Sequence, residues 1–518
     1  MTTLTHAHPV NPRKWLTLFA MTGSLCMILL DTTVVGVALP AIQSDLGITP
    51  LQLQWVINAY VLVLASFVAV GGRAADAFGR VPVFVVGVIL FAMSSAWCGF
   101  ASSGFQLVAA RVLQGLGAAI MQPASASLVV NSFAPGERGK AMAVYAGIPM
   151  LFLAAGPVIG GAITQYANWR WNFWLNIPIA LASIALTWIA RPVDVRAPKR
   201  GNDFVGAILL LTSLPLFVWG LMEGSERGWN NPAIATAILA GVILLPTFVW
   251  WEHNHPSPLL AVNLFADRAI AIDASILFAT QFAMTGLVIY GSIYAQGVLL
   301  FDPLKAGASL LPMLAPIIVV IHFAGRLYDR VGVRKPAIIG TFLCVIGMSV
   351  QAIAASLANY PLLATGMLVL GTGIGFVMSP VNTDSMSRVA PAQRGQVSGL
   401  VQTLRQIGGS LGVAVVGSAI LLSHNSEIEQ RIGQVLPQEQ RAPARELLQQ
   451  ASRGNHAAIA QLAANTQLQV IEREVLASSV AKGWWICTAT LVVAFIAATR
   501  LRSMAHTPHL SNAHTPSV

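Results

Sequence analysis

Fourteen apolar stretches, each long enough to cross a bilayer as a helix, constrain this chain more than any other feature. A hydrocarbon core of roughly 30 Å takes about 20 apolar residues per helix. Stretches that meet this test lie near 15–39, 54–72, 82–101, 105–131, 140–164, 172–190, 204–222, 233–251, 269–297, 304–324, 337–356, 361–381, 396–422 and 482–500. Only 10% of the residues are charged, against roughly 25% in a soluble domain. The expected fold is therefore that of an all-α polytopic membrane protein. The first stretch follows a basic head, Arg13-Lys14, as a signal peptide would. It is too long for such a core and lacks a small-residue cleavage site, so it reads as a retained helix.

The net charge of +10 raises the question of nucleic acid. If the N-terminus lies in the cytoplasm, the connections and termini on that side hold 19 Lys and Arg and the opposite side holds 9. This is the positive-inside pattern of a multi-pass protein of the inner cell membrane with both termini cytoplasmic. It accounts for the basic balance without nucleic acid. Cys26, Cys98, Cys344 and Cys487 stand singly in apolar stretches. They fit neither metal-ligand spacing nor a disulfide framework, and read as small hydrophobes.

The chain also repeats itself. "GGRAADAFGR" at 71–80 joins the second and third stretches, and "GRLYDRVGVRK" at 325–335 joins the tenth and eleventh. Gly72, Arg73, Asp76 and Gly79 correspond to Gly325, Arg326, Asp329 and Gly332 at a constant offset of 253 residues. Both copies fall on one side, so the halves are parallel repeats about an axis along the membrane normal. The division is 13–191 for one six-helix bundle, 192–268 for an inserted two-helix linker, and 269–502 for the second bundle. The glycines suit a tight turn. The Asp and Arg residues, with Arg80 closing the first copy, suit contacts to neighbouring helix ends; Asp76 is expected to latch onto the amino end of the thirteenth helix.

Six motifs in order carry a family resemblance: "LDTTVVGVALPAI" at 30–42, "GGRAADAFGR", "RVLQGLGAA" at 111–119, "GPVIGG" at 156–161, "WRWNFWLNIPIA" at 169–180 and "TLRQIGGSLGVA" at 403–414. Over roughly 13–425 the sequence resembles the major facilitator superfamily, specifically its fourteen-helix drug:proton antiporter branch (EmrB/QacA-like). It departs from the usual motifs at Ala74, Ala77, Val81, Phe152 and Asn172. The resemblance implies a major facilitator fold: two six-helix bundles plus two inserted linker helices.

It also gives a meaning to Asp31, an acid alone in an apolar helix. A charged side chain at mid-bilayer costs about 2.5–3.5 kcal/mol on insertion scales, so it should face a partner or a cavity. Counted from Pro40 and Phe105, Asp31 lies about 13 Å and Arg111 about 9 Å below the same surface. The two share a depth, and an acid beside an arginine stays ionised until it is desolvated or parted from it. The resemblance assigns proton coupling to Asp31 and Arg111; a fixed ion pair bracing two helices is the alternative. "GPVIGG" combines Pro157, which bends a helix, with Gly156, Gly160 and Gly161, which admit a close neighbour. Ordinary small-residue packing would also explain it, and the resemblance implies a hinge of an exporter.

Asn58, Tyr60, Gln122, Gln281, Tyr290 and Asn382 are candidates for lining a substrate cavity or for interhelical hydrogen bonds. Asp273, His322 and Asp384 lie near helix ends and are expected to be solvated. Arg405 lies deeper and is expected to brace its helix or assist coupling. Segment 423–482 is the one sizeable polar insert. It reads as amphipathic helices on the outer surface with breaks at Pro437 and Gly454, and docking to a periplasmic adaptor is its functional option.

No cofactor or metal is expected, and no enzyme motif appears: "GERGKA" at 136–141 fails the phosphate-cradle spacing. Energy would come from a gradient. A proton moving across a membrane gains about 2.3 kcal/mol per 100 mV, while a tenfold solute gradient costs about 1.4 kcal/mol. The expected function is proton-coupled export of amphipathic small molecules, cationic or neutral, by a monomer. The alternatives are a dedicated metabolite exporter, an uptake symporter, and a non-transporting membrane sensor or scaffold.

Overall fold

The computed structural model describes residues 12–502 apart from 135, 193, 195–200, 202, 391–392 and 453–454. Among them fourteen helical segments are long and apolar enough to cross a bilayer. In chain order the helices are α1 (Lys14–Leu46), α2 (Pro50–Phe78), α3 (Arg80–Phe100), α4 (Gly104–Ser132), α5 (Arg138–Tyr166), α6 (Trp171–Trp174), α7 (Asn176–Ala190), α8 (Phe204–Arg227) and α9 (Pro232–Asn254). After a 3₁₀ turn at Val262–Ala266 come α10 (Arg268–Gly297), α11 (Pro303–Ala308), α12 (Leu311–Val331), α13 (Arg334–Ser356), α14 (Tyr360–Ser387), α15 (Arg394–Val435), α16 (Gln438–Ser452), α17 (His456–Ala464) and α18 (Thr466–Thr499).

Successive spans alternate in direction, which defines two faces. The basic face carries the start of α1 and both loop-motif copies; the far face is opposite. At the far face, three helices start on a capping residue followed directly by proline. Thr49 forms a capping box with Gln52 before Pro50, and Asn231 and Asp302 cap α9 and α11 before Pro232 and Pro303. Each cap satisfies amide groups that the helix itself leaves unpaired, and proline fits the first turn because it brings no N–H. At the basic face both loop copies end their helix on a glycine with positive φ, 102° at Gly79 and 71° at Gly332. Side chains rarely adopt that conformation.

The repeat extends to packing. In the first unit α1 packs on α5 and α7, and α4 packs on α2 and α3. In the second, α10 packs on α15 and α18, and α14 packs on α12 and α13. Gly87 brings α3 against α4, with the carbonyl of Gly117 3.0 Å from where a Cβ would stand. Gly340, at the same 253-residue offset, brings α13 against α14, with the carbonyl of Gly373 at 2.8 Å. The inserted α8 and α9 pack on each other, and α8 leans on both α2 and α15.

Contacts between the units gather at the far face. Gln296 Nε2 donates to the carbonyl of Val37 at 2.9 Å, joining α10 to α1. Leu304 N donates to Gln165 Oε1 at 3.1 Å, joining α11 to α5. Ser410 Oγ donates to Asn58 Oδ1 at 2.8 Å, joining α15 to α2. Nearer the basic face, Gly139 and Gly147 of α5 and Gly395 and Gly399 of α15 look onto open space. The seam is thus shut at one end.

The polar insert is helical, with a different division from the expected one. α15 runs on past the membrane-length limit to Val435, and α16, α17 and the start of α18 fold back on it. Ile432, Leu436, Leu448, Leu468 and Val475 form a small core of their own. Pro437 falls between α15 and α16 as expected, whereas Gly454 lies outside the described residues. The sixth and tenth spans are each interrupted near the far face, at Leu175 and at Ser309–Leu310.

Candidate functional site

Asp31 and Arg111 meet. Arg111 Nη1 lies 2.5 Å from Asp31 Oδ2, and the two side chains are 1% and 0% exposed. The acid comes from α1 and the base from α4, and other helices complete the shell. Gln114, one turn beyond Arg111, donates through Nε2 to Asp31 Oδ1 at 2.8 Å and accepts from Arg111 Nη1 at 2.7 Å. Arg111 Nε donates to the carbonyl of Val56 at 2.9 Å, tying in α2. Asn176, the first residue of α7, donates to Ser95 Oγ at 3.1 Å and lies 3.5 Å from Asp31 Oδ1. Ser95 in turn donates to the carbonyl of Phe173 at 2.7 Å. The guanidinium stands 4.3 Å from the centre of the Tyr60 ring, a cation–π contact that strengthens when water is excluded.

This arrangement has a second way of being satisfied. If Asp31 takes up a proton, Arg111 keeps the Val56 carbonyl, the Gln114 amide oxygen and the Tyr60 ring. The pair can therefore part without abandoning a bare charge in an apolar interior, which would be strongly destabilising. Depth reasoning from the sequence identified the pair but not Gln114, Ser95 or Asn176. Gln114 follows Arg111 at helical i,i+3 spacing, which was a usable signal; Asn176 sits in "WRWNFWLNIPIA" with nothing to distinguish it from Asn172. Asn172 instead donates to Thr164 Oγ1 at 2.9 Å.

The "GPVIGG" glycines divide between two neighbours. Gly156 and Gly160 face α1: a Cβ at Gly156 would overlap Thr33 Oγ1, and one at Gly160 would stand 2.8 Å from Val34 Cα. Gly161 faces the other unit, where a Cβ would overlap the carbonyl of Pro303, and a Cβ at Gly307 would overlap the carbonyl of Pro157. The motif thus presses α5 onto Asp31's own helix and onto α11 across the seam.

In the first loop copy, Asp76 pairs with Arg80 of its own segment at 3.2 Å and, among the described residues, has no hydrogen bond or ion pair with α15, the partner expected of it. Arg73 Nη2 donates to the carbonyl of Ser257 at 2.8 Å and also to that of Pro258, reaching the segment after α9. Asp194 accepts from the backbone of Arg80 and Val81 at 3.0 and 3.4 Å, capping α3. In the second copy, Gly325 stands 3.9 Å from Ser379 Oγ, and Arg326 and Asp329 are exposed.

The cavity candidates disperse. Asn58 and Tyr60 are fully buried, the first bonded across the seam and the second under Arg111. Tyr290 donates to the carbonyl of Val413 at 2.9 Å within its own unit. Gln122 and Gln281 are half-buried and Asn382 is exposed; Gln281 donates to Thr285 Oγ1 at 3.0 Å. Arg405 is half-buried on α15.

Solvation of Asp273 and Asp384 is corrected: they are 0% and 2% exposed. Close packing explains it, because Ile270, Ala274, Val377, Val381 and Ala498 form one apolar cluster around the first turns of α10. Asp384 accepts from Arg388 Nε at 2.5 Å. Asp273 faces Asp384, and neither of its oxygens has a donor among the described residues. His322 is exposed, as expected. All four cysteines are buried and free.

Two parallel-repeated helical units, closed on each other at one face, with an acid–arginine pair buried inside one of them, define a polytopic membrane transporter. The chain belongs to the Major Facilitator Superfamily, whose family model matches residues 21–413, and it is a multi-pass membrane protein. It is 33% identical over 79% of its length to the puromycin resistance protein pur8 of Streptomyces alboniger, covering 82% of that protein. It is 32% identical over 84% of its length to the tetracenomycin C resistance and export protein of Streptomyces glaucescens, covering 79% of it. Among solved structures it resembles a bacterial homolog of the human lysosomal transporter Spinster, described as inward-facing and unoccupied. The TM-score is 0.64 at 17% identity, covering 94% of this chain and 97% of that one. That likeness concerns the fold alone.

Proposed function

We propose that this chain is a proton-coupled exporter of amphipathic small molecules that works by alternating access. The observation that carries the reading is the Asp31–Arg111 pair, closed to water and surrounded by groups able to hold the arginine after the acid is protonated. The name of the Streptomyces glaucescens relative, a resistance and export protein, supports export as the direction, and the resistance named for the Streptomyces alboniger relative agrees with it. The basic face is cytoplasmic on this reading, following the distribution of Lys and Arg, and the membrane is the inner cell membrane. One chain supplies both units, so a monomer suffices, and covalent chemistry has no part in the cycle. The helical insert at the far face is available to a periplasmic adaptor.

The cycle follows from the site. With the far face shut, substrate enters from the basic face while Asp31 is paired with Arg111. When the seam opens at the far face, substrate leaves and water reaches the pair, so that Asp31 takes a proton and releases Arg111. Return to the present arrangement delivers the proton and re-forms the pair. The test is a screen on everted membrane vesicles, following collapse of the respiration-driven pH gradient as each compound is added. Puromycin and tetracenomycin C are natural first members of the panel. A transported compound should dissipate the gradient with the native chain and not with Asp31→Asn; dissipation by both would overturn the coupling role.

A further inference from the structure

The proton-coupling pair leaves one charge of the membrane interior without an assignment. Arg405 lies about 16 Å along α15 from its basic-face end, near mid-membrane. It is half-buried, and its Nε is fully buried. It has no hydrogen bond and no ion pair with any described residue, and no carboxylate acts on it. Every other cation within the apolar depth has partners: Arg111 has Asp31, Gln114, Val56 and Tyr60. An isolated guanidinium in an apolar interior is costly, and such groups mark a ligand pathway unless a partner is present.

Its position indicates where a partner would come from. Arg405 stands one helical turn from Gly409, on the same face of α15. A Cβ at Gly409 would lie 3.4 Å from Gln281 and 3.2 Å from Thr285 of α10, and 3.7 Å from Val61 of α2 in the other unit. Arg405 therefore sits on the seam between the units, on the basic-face side of the Asn58–Ser410 bond that helps close it. From there α15 runs toward Gly399 and Gly395, which look onto open space. A molecule entering from the basic face and stopping beneath the closed end would meet Arg405 near Gln281 and Thr285 of α10 and Val61 of α2.

We propose that Arg405 is a substrate-recognition group, taking a carboxylate or an equivalent anionic, acceptor-rich group of an amphipathic substrate, with Gln281 beside it. Guanidinium presents a planar fork of donors that matches a carboxylate in two-point contact. The substrate class is then anionic or zwitterionic, in contrast to the cationic or neutral class expected from the sequence. The inference rests on the exporter reading only in treating the seam as the substrate chamber.

The experiment uses three probes with one apolar body: 1-pyrenebutyrate, its methyl ester, and a pyrenebutyl-trimethylammonium ion. Their binding to the full chain in lipid nanodiscs is read by energy transfer from the protein's tryptophans, at equilibrium and without a gradient. The acid should bind about tenfold or more tightly than the ester, the value of a charge-assisted hydrogen bond, and more tightly than the cation. Arg405→Gln should abolish that preference and leave the ester's affinity unchanged, while Arg405→Lys, which keeps the charge but not the fork, should keep only part of it. An acid that binds no better than its ester to the native chain, or a preference that survives in Arg405→Gln, overturns the proposal. Because no proton gradient enters the measurement, failure of proton coupling and failure of this inference are separate results.

Discussion

Gly161→Ala is the sharpest probe of how the two units close. The added Cβ would overlap the carbonyl oxygen of Pro303 and stand 2.8 Å from Leu304 Cα and 2.9 Å from the carbonyl carbon of Pro303. All three are backbone atoms, so no rotamer change relieves the contact. The neighbouring hydrogen bond from the Leu304 backbone N–H to the side-chain Oε1 of Gln165, 3.1 Å, holds the two segments together and resists a local shift. Overpacking of this kind costs about 1–3 kcal/mol. The cost falls only on the state closed at the far face, so the equilibrium should move toward the opposite state by roughly 5- to 150-fold. Spin labels at Tyr166 and Leu300, which are 75% and 63% exposed near the ends of α5 and α10, would report the seam by double electron–electron resonance. A longer-distance population should grow in Gly161→Ala and stay unchanged in Gly147→Ala, where a Cβ meets nothing within 4 Å. An identical distance distribution in Gly161→Ala and the native chain would refute the idea that this contact sets the closure.

Two further predictions concern polar contacts. Asn58→Ala and Ser410→Ala should be coupled in a double-mutant cycle of thermal stability by about 0.5–1.5 kcal/mol, because their 2.8 Å bond crosses the seam; additive effects would show that the bond carries no energy. Gln114→Ala removes a donor to Asp31 and an acceptor from Arg111, and hydrogen bonds to charged groups are worth about 1.5–3 kcal/mol. Gradient-driven transport in vesicles should fall about tenfold or more at unchanged membrane insertion, and an undiminished rate would remove Gln114 from the mechanism.

The sequence made the architecture legible because membrane length and hydropathy leave few alternatives. Each span falls, to within one residue, on one helix or on two successive helices, and the 253-residue repeat reappears in the positive-φ glycines Gly79 and Gly332. The Asp31–Arg111 pair was legible for the same reason: a charge in lipid needs a partner, and helix depth can be counted. Partners that differ in azimuth rather than depth were not. Asn58 and Tyr60 sit at plausible cavity depths but point into packed interfaces. Asp273 looked solvated from its place near a helix start, yet small residues let α10, α14 and α18 approach closely enough to bury it. The loop motif named Asp76 without revealing that in this arrangement its partner is Arg80, since a contact across the seam depends on which face is closed.

The central claim is that Asp31 exchanges its proton as substrate comes and goes. For the first compound identified in the vesicle screen, binding to purified protein would be followed by calorimetry in buffers of different ionisation heat, which counts the protons released. Drug and proton that compete for one cycle predict net proton release by the native chain on binding, weaker binding at lower pH, and no release from Asp31→Asn that still binds the compound. Zero release by the native chain, or tighter binding as the pH falls, would contradict antiport through Asp31 and favour symport.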